Sequence, residues 1–200
     1  MKYVTDSMKT EDWEQVRSIY LEGISTGNST FEADAPDWDK WDSAHLPEHR
    51  LVVRAGNDVL AWAALSTVSS RCVYSEVAEL SLYVAGGHRG KGIGSALLGA
   101  LIVSSEKAGI WTLQGGIFPE NAASLAMVKK HGFREIGRRE KMGKMTYGAL
   151  AGNWRDVIMV ERRKINYSID INECQRSHSV AWGRLVFLSK FIIGSSLNLK

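Results

Sequence analysis

The sequence predicts a mixed α/β fold, because strand-like and helix-like segments alternate along the chain. The strand-like runs RLVVRAG (50–56) and VLAWAALSTV (59–68) share the turn formers AGND, which are typical of a hairpin. A third strand-like run, VAELSLYV (77–84), is followed by a long apolar helix and then by IWTLQGGIF (110–118). A strand–helix–strand crossover makes its two strands parallel. The predicted sheet is therefore antiparallel early in the chain and parallel at one pair in the middle.

The first predicted helix covers residues 10–24. Thr10 can cap it, acidic residues fill its first turn, and apolar residues recur at helical spacing along one face. Residues 27–41 are predicted to form a loop or a broken helix, since they are rich in turn formers and aromatic residues.

Two more helices and a closing strand pair complete the prediction. The most regular helical pattern covers residues 92–109, where Gly109 is well placed to end the helix. A shorter helix is predicted over 121–133. The runs 134–140 and 154–163 are predicted to pair as the last strands.

Length and composition restrict the possible functions. The chain has 200 residues, of which 44% are hydrophobic and 24% charged, as expected for one ordinary globular domain. A net charge of +3, spread along the chain, does not indicate nucleic-acid binding. The N-terminus shows no apolar signal segment, and no run reaches the roughly eighteen apolar residues of a membrane span. Cys72 and Cys174 lack metal-ligand spacing, so we expect no metal site. Two such lone cysteines are typical of a cytoplasmic protein with reduced thiols. From the charge and the hydropathy we expect neither a nucleic-acid partner nor a membrane partner.

Five glycines stand within residues 86–94, between a predicted strand and the longest predicted helix. Amide groups at a helix N-terminus can bind an anion, and glycines let a diphosphate approach the backbone. A P-loop would need Ser or Thr after Lys91, and a dinucleotide fingerprint would need a glycine where Ser95 stands. What remains is the pattern R-x-x-G-x-G, at Arg89, Gly92 and Gly94. It is compatible both with anion binding and with a purely structural turn.

This pattern resembles the coenzyme A loop of the GCN5-related N-acetyltransferase (GNAT) superfamily, and a second match lies downstream. Asn121 and Ser124 fit the superfamily's N-x-x-A/S stretch, and Gly132 and Phe133 follow at the expected distance. The resemblance implies acetyl-CoA as acetyl donor and a GNAT fold, with a mixed central sheet and helices on both faces. It also implies the residues that contact the coenzyme, namely Leu82, Val84, Arg89, Gly90, Lys91, Gly92, Ile93, Gly94, Ser95, Asn121 and Ser124. Capping of a helix by Asn121 is equally sound, and both roles are compatible.

Three further segments resemble the phosphinothricin-type acetyltransferases within that superfamily. They are GNSTFEADAP, VAELSLYV and GNWRDV, and the matches run in order from about residue 3 to residue 163. We therefore expect a GNAT domain over residues 1–164, and the resemblance implies a homodimer. Residues 165–200 have no counterpart; they could be an extra packing element, a partner-binding helix or a segment altered by a reading-frame change.

Glu79 is the candidate catalytic residue. An amine must lose a proton before it attacks a thioester, and a carboxylate in a partly buried cleft can act as the base. Glu79 stands in an otherwise apolar strand and matches the family's proposed general base. The alternative is a residue that simply faces outward from a half-exposed strand. We also expect a β-bulge to open a slot between the parallel strands, with the oxyanion-binding amide near residues 80–82.

The position of a general acid departs from the family pattern. Many relatives carry Tyr or His four residues after the Ser or Ala of N-x-x-A/S, and this chain has Val128 there. No general acid is therefore assigned, and His131 is expected only to end the helix. A thiol with a pKa of about 8.5 is a tolerable leaving group without help.

Arg71 matches an arginine that phosphinothricin-like enzymes use near the substrate carboxylate, although a solvated loop residue is an even alternative. Phe31 and Glu32 are expected at the same mouth, whereas Trp38 and Trp41 are expected to cover the core. The implied acceptor is a small amino-acid-like amine such as phosphinothricin, methionine sulfoximine or methionine sulfone. A protein N-terminus, a polyamine or an aminoglycoside remains open as acceptor, and so does a non-catalytic module that only binds acyl-CoA.

Overall fold

A seven-stranded mixed sheet forms the centre of residues 2–164, the part of the chain that this computed structural model describes. In chain order its strands are β1 (Val4–Ser7), β2 (Leu51–Ala55), β3 (Asp58–Thr67), β4 (Val77–Val84), β5 (Thr112–Ile117), β6 (Arg134–Lys144) and β7 (Trp154–Arg163). The helices of the same residues are α1 (Trp13–Ser25), α2 (Trp38–Ala44), α3 (Ile93–Lys107) and α4 (Ala122–Lys130). Across the sheet the strand order is β1-β2-β3-β4-β5-β7-β6, so the mixed α/β prediction is confirmed.

The parallel pairing of β4 with β5 is short. Pairing begins at Val77 and ends at Glu79–Gln114, although β4 continues to Val84 and β5 to Ile117. Along its other edge, β5 pairs with β7 over its whole length. Beyond Glu79 the two parallel strands therefore diverge, and a wedge opens between them.

The wedge does not come from a β-bulge, so that prediction is wrong. β4 keeps one continuous register with β3, from Ala61–Val84 to Thr67–Ala78. Divergence alone opens the slot. Beyond Glu79, β4 is paired with β3 and β5 is paired with β7, so each strand follows the twist of its own neighbour. The register shifts of the described sheet lie in the β2–β3 and β6–β7 pairings instead.

Two apolar cores lie on opposite faces of the sheet and hold helices on both faces, as predicted. On one face, Leu97 and Leu101 of α3 are fully buried in a core that includes Leu65 of β3. The other core is built on tryptophans from α1, α2 and β3, namely Trp13, Trp41 and Trp62. β3 serves both cores because side chains of successive strand residues point to opposite faces.

The start of α1 differs from the prediction, since Thr10 does not cap the helix. A 3₁₀ turn over Thr10–Asp12 precedes it. Asp12 accepts a hydrogen bond from the Lys9 amide at 2.8 Å and binds the Arg54 guanidinium at 2.9 Å. Burial alone would raise the pKa of Asp12, but the hydrogen bonds from Arg54 and Lys9 hold it below its ordinary value. A buried carboxylate thus fixes this helix to the sheet.

The segment 27–41 is a loop that ends in α2, as expected. Asp37 caps α2, because its carboxylate accepts a hydrogen bond from the Lys40 amide at 2.9 Å. Trp41 is 1% exposed, and the ring of Trp38 stacks on it at 5.8 Å between centroids. Both tryptophans therefore cover the core, in agreement with the prediction.

The other predicted elements are confirmed with small shifts in their bounds. α3 begins directly after Gly92, α4 begins directly after Asn121, and Gly109 has the positive φ expected just beyond α3. β6 continues to Lys144, past its predicted end.

Gly23 and Gly99 provide a stability test within two helices. A Cβ at Gly23 would lie 2.6 Å from Cδ1 of Tyr83, whereas a Cβ at Gly99 would lie 3.6 Å from Cε1 of His131. Overpacking costs about 1–3 kcal/mol, so we expect Gly23→Ala to lower the free energy of unfolding by that amount. Gly99→Ala is the matched control and should raise it by about 0.5–1 kcal/mol, the ordinary gain of alanine in a helix. Urea denaturation measures both; equal effects of the two variants would contradict the packing at Tyr83.

Three histidines of the described chain have lowered pKa values, and we therefore expect the protein to lose stability at mildly acidic pH. Burial lowers the pKa of His45 below its ordinary value of 6.5, and the neutral ring donates a hydrogen bond from Nδ1 to the Trp41 carbonyl at 2.7 Å. Burial also lowers the pKa values of His49 and His131. Their stabilisation is therefore fully present above about pH 6.5 and is lost as the pH falls through the lowered folded-state values.

We expect the free energy of unfolding, measured by urea denaturation, to be smaller at about pH 5 than at about pH 7.5. His45→Phe keeps a ring on Trp41 but cannot titrate, so this variant should lose less stability over the same interval. A wild-type stability that rises towards pH 5 would contradict the burial of these rings.

Candidate active site

The glycine turn joins β4 to α3 through left-handed backbone. Gly90 has a φ of 74° and Gly92 a φ of 80°, a region that only glycine occupies without strain. Gly92 is also the N-cap residue of α3, and no side chain caps the helix there. The first amides of α3 therefore remain available, because a helix offers its first N–H groups no internal acceptor.

Two basic side chains fold back on this turn. Arg89 donates from Nε to the Val84 carbonyl at 3.0 Å, and Lys91 donates from Nζ to the Gly87 carbonyl at 2.8 Å. Both side chains are exposed. Positive charge therefore surrounds the open end of the helix, where its dipole also favours an anion.

A cavity of about 440 Å³ lies against this turn and is called here the glycine-turn cavity. Its lining includes Gly23, Thr26, Asn28, Ser29, Leu82, Tyr83, Val84, His88, Arg89, Gly90, Gly92, Gly94, Ser95, Asn121, Ala123, Ser124 and Met127. Of the predicted coenzyme residues, Lys91 and Ile93 do not line it, and the Ile93 side chain is buried in the core. A Cβ at Gly94 would lie 3.2 Å from Val84 Cγ2, so a larger residue there would require the Val84 side chain or α3 to shift by a few tenths of an ångström.

Asn121 ties α4 to the loop after α1. Its Oδ1 accepts the Ser124 amide at 3.2 Å, which caps α4, and its Nδ2 donates to the Asn28 carbonyl at 3.2 Å. The predicted capping role is therefore confirmed. The bond to Asn28 could not be predicted, because it joins residues that are distant in the sequence.

His131 contacts the first turn of α3, which the sequence did not indicate. It ends α4 as predicted, and its Nε2 lies 2.8 Å from Oγ of Ser95 in the first turn of α3. Burial and the neighbouring Lys130 and Arg162 lower the pKa of His131, so the ring is neutral at pH 7. This hydrogen bond holds the ends of α3 and α4 together beside the glycine-turn cavity.

A second cavity, of about 400 Å³, occupies the wedge between β4 and β5 and is called here the splay cavity. Its lining includes Ser29, Thr30, Phe31, Glu79, Leu80, Ser81, Leu82, Tyr83, Gln114, Gly115, Gly116, Ile117, Phe118, Asn121, Ser124, Met127, Val128, Arg139, Met142, Val157, Met159 and Val160. Several residues, among them Leu82, Asn121 and Ser124, line both cavities. The two cavities therefore adjoin along one continuous wall.

Glu79 lies at the apex of the wedge. It belongs to the last parallel pair, with Gln114, and its exposed side chain shares a strand face with Ser81 and Tyr83. Tyr83 is half-buried by surface area and stacks on Trp62 at 4.8 Å; burial raises its pKa, so its hydroxyl stays protonated. The wedge thus has a carboxylate at its closed end.

The predicted acceptor residues do not all meet. Phe31 lines the splay cavity and packs edge-on against Phe118 at 4.9 Å. Glu32 is exposed and lies outside both linings. Arg71 is also outside them, because it lies in the turn before β4 with its guanidinium 5.5 Å from the Tyr74 ring centroid. The structure therefore does not bring Arg71 to the wedge.

Arg155 is a buried arginine beneath the wall of the splay cavity. It is 6% exposed and lies 3.6 Å from the ring centroid of Phe118. Its guanidinium donates to the Gly27 carbonyl at 2.6 Å, to Asn28 Oδ1 at 2.8 Å and to the Glu120 carboxylate at 2.6 Å. The hydrogen bond from Arg155 lowers the pKa of Glu120. One side chain of β7 thus fixes both loops that flank Asn121.

Residues 2–164 contain neither a cluster of metal-ligating side chains nor a membrane-spanning helix. Among residues 2–164 there is no group of three or more His, Cys, Asp or Glu side chains that could hold a metal ion. No helix within that range is long and apolar enough to cross a lipid bilayer.

A family match covers most of this site. The acetyltransferase (GNAT) family model matches residues 13–133, which include the glycine turn, the wedge and the start of α4. This chain belongs to the GNAT family of acetyltransferases.

Individual proteins that are similar to this chain carry the names of small-molecule acetyltransferases. The Bacillus subtilis protein YwnH, whose name places it with the phosphinothricin acetyltransferases, is 34% identical over 63% of this chain and 80% of its own length. Phosphinothricin N-acetyltransferase of Streptomyces coelicolor is 26% identical over 76% of this chain and 91% of that protein. The L-methionine sulfoximine/L-methionine sulfone acetyltransferase of Pseudomonas paraeruginosa is 29% identical over 54% of this chain and 59% of that protein.

Solved structures share the fold. The ribosomal-protein-alanine N-acetyltransferase of Brucella melitensis is 25% identical, with a TM-score of 0.71 over 80% of this chain and 99% of that one. The phosphinothricin acetyltransferase of Sinorhizobium meliloti, in complex with acetyl-CoA, is 24% identical, with a TM-score of 0.72 over 82% of this chain and 89% of that one. The predicted GNAT fold is confirmed.

Asn121 provides a test of how the loop after α1 is held. Asn121→Asp keeps the oxygen that caps α4 but replaces the donor to Asn28 with a second acceptor. We expect this variant to keep α4 and to increase hydrogen exchange at residues 28–31. Asn121→Ala should also increase hydrogen exchange at residues 28–31. Because it removes the N-cap of α4, it should in addition lower the free energy of unfolding by about 0.5–2 kcal/mol. Unchanged exchange at residues 28–31 in both variants would show that Asn121 does not hold the loop.

Proposed function

We propose that the protein transfers the acetyl group of acetyl-CoA to the amino group of a small amino-acid-like acceptor, of the phosphinothricin, methionine sulfoximine or methionine sulfone type. The observation that carries the proposal is the wedge between β4 and β5, where the glycine-turn cavity adjoins the splay cavity. A donor bound along the first presents its acetyl group in the second. The names of the relatives refer to acceptors of this kind.

The glycine-turn cavity fits a donor that carries a diphosphate. The amides from Ile93 to Ser95 are at the helix start, and the glycines before them leave the backbone accessible. Arg89 brings positive charge to the same wall. A negative charge at a helix N-terminus gains about 0.3–1 kcal/mol from the dipole. Leu82, Val84, Asn121 and Ser124 continue the lining towards the wedge and would contact the rest of the donor.

Glu79 supplies the base in the proposed reaction. It takes a proton from the acceptor ammonium, directly or through a water molecule, and leaves a neutral amine. The nitrogen lone pair forms a bond with the thioester carbonyl carbon, and the carbonyl oxygen takes the negative charge. Amides of β4 beyond Glu79 have no β5 partner and are suited to bind that oxyanion. The carbon–sulfur bond then breaks while the nitrogen releases its second proton to solvent, which gives the neutral N-acetylated acceptor and the thiolate.

The thiolate leaves without a side-chain acid at position 128. Val128 is 3% exposed and lines the splay cavity, so it can exclude water but cannot donate a proton. With a thiol pKa of about 8.5, the thiolate leaves unaided and takes its proton from solvent.

A protein N-terminus is the second candidate acceptor, because the Brucella enzyme is named for ribosomal protein alanine. An assay of thiol release from acetyl-CoA distinguishes the candidates. Its panel contains free amino-acid analogues, peptides with a free N-terminus, a polyamine and an aminoglycoside. Turnover on peptides and on no free amino acid would contradict the proposal. Coenzyme binding without turnover on any amine would favour the non-catalytic module.

We further propose that residues 1–164 form the catalytic domain, that two copies pair as a homodimer, and that the protein acts in the cytoplasm. Both cavities are lined by residues of this range. Exposed apolar side chains on the β6–β7 side, including Ile136 and Trp154, provide a surface for a second copy. The extension 165–200 lies outside the described residues, and we propose that catalysis does not require it.

Glu79→Gln tests the proposed base. The amide keeps the size of the side chain but cannot accept a proton, so we expect kcat to fall by about 10²–10⁴, the usual contribution of a general base. The dissociation constant of acetyl-CoA, measured by isothermal titration calorimetry, should stay unchanged. Glu140→Gln is the matched control, since this exposed glutamate lies outside both cavities and should keep full turnover. A Glu79→Gln enzyme with wild-type kcat across the pH range would remove Glu79 from the role.

A further inference from the structure

The charges of the splay cavity point to a second recognition residue. Among all the side chains that line it, only Glu79 and Arg139 carry a formal charge at neutral pH. One is an acid on β4 and the other is a base on β6. A cavity with one charge of each sign is suited to a zwitterion, whose ammonium and carboxylate need opposite partners.

The strand register directs Arg139 to this cavity. Arg139 pairs with Val157 of β7, and cross-strand partners share one face of a sheet. Val157 is itself in the cavity lining and 7% exposed. The register between β6 and β7 shifts directly after Arg139, where Lys141 has a φ of 47°. Such an irregularity redirects side chains, and Met142, which lies within it, lines the same cavity.

Arg139 differs from its neighbours because it has no acidic partner within residues 2–164. On the same strand, Arg134 binds Glu161 and Arg138 binds Asp156. Other arginines of the described chain also have partners: Arg155 binds Glu120, and Arg162 binds Glu106. The Arg139 guanidinium therefore keeps its donors for a ligand.

We infer that Arg139 binds the α-carboxylate of the acceptor and so selects free amino acids, an inference that rests on the function proposed above. A guanidinium binds a carboxylate through two parallel hydrogen bonds, which fixes the orientation of the bound molecule as well as its charge. With the carboxylate at Arg139, the amino group is directed to the Glu79 side of the cavity. Arg139 thus takes the role that the family resemblance implies for Arg71.

The remaining lining suits the side chain of such an acceptor. Phe31, Met142 and Met159 offer aromatic and thioether surfaces, which adapt to an unbranched, moderately polar side chain. A peptide N-terminus has an amide where a free amino acid has its carboxylate, and it would leave the Arg139 charge unpaired. Discrimination against peptides follows from this difference.

The test compares L-methionine sulfone with its carboxamide as acceptors, in steady-state kinetics with saturating acetyl-CoA. For the wild type we expect the acid to be preferred over the carboxamide in kcat/KM. Arg139→Gln should raise KM for the acid by about 10- to 100-fold, the value of a charge-assisted hydrogen bond of about 1.5–3 kcal/mol, and should leave KM for the carboxamide unchanged. Arg139→Lys should restore part of the preference, and Arg139→Glu should reverse it.

Two controls separate specificity from structure and from net charge. Arg134→Gln makes the same change on the same strand outside the cavity, and Arg71→Gln tests the position that the sequence predicted. Both should keep the wild-type preference for the acid. A preference that is lost in Arg71→Gln and kept in Arg139→Gln would overturn the assignment, and so would equal losses on both acceptors in Arg139→Gln.

The outcomes also separate this inference from the proposed function. A wild type that acetylates both acceptors equally well would overturn the role of Arg139 and leave acetyl transfer to small amines intact. A wild type that binds acetyl-CoA but acetylates neither compound would overturn the proposed function, and the role of Arg139 with it.

Discussion

The short pairing between β4 and β5 is the constraint on which the rest of the site depends. β5 is held by β7 along one edge, and its hold on β4 ends at Glu79–Gln114. Backbone groups along the free edge of β4 then need partners, because unpaired polar groups that are removed from water cost free energy. A ligand that carried its own amide groups and lay in the wedge would satisfy them. The same divergence places the Glu79 carboxylate at the closed end, so the open slot and the proposed base share one structural origin.

The walls of the wedge are held by hydrogen bonds from three polar side chains. Asn121 and Arg155 join the loop after α1 to the loop before α4, and His131 joins the ends of α4 and α3. Each link is a hydrogen bond between segments that are far apart in the sequence. Such side chains keep the reacting groups within narrow limits, since a cavity built from loops alone would be less accurately positioned.

The sequence predicted the glycine turn better than the lining of the splay cavity. The glycine turn is a local motif, since two left-handed residues and a helix start follow directly from the glycines near Gly92. The positions of Arg139 and Arg155 depend on strand register and on an irregularity in β6, and no local pattern reveals either. Arg71, which the resemblance places near the substrate carboxylate, lies in the turn before β4 with its guanidinium over the Tyr74 ring. The predicted bulge was wrong because divergence of strands depends on their other neighbours.

The position of β7 inside the sheet has a consequence for the order in which the site is made. β7 is the last described strand, yet it lies between β5 and β6. As the chain leaves the ribosome, the glycine turn, α3 and β5 emerge first, and the outer edge of β5 has no neighbour until β7 follows. Arg155 must then reach back to Gly27 and Asn28, across more than a hundred residues of chain. The glycine turn is therefore made early in synthesis, while the wall of the splay cavity that β7 supplies closes only with this last described strand.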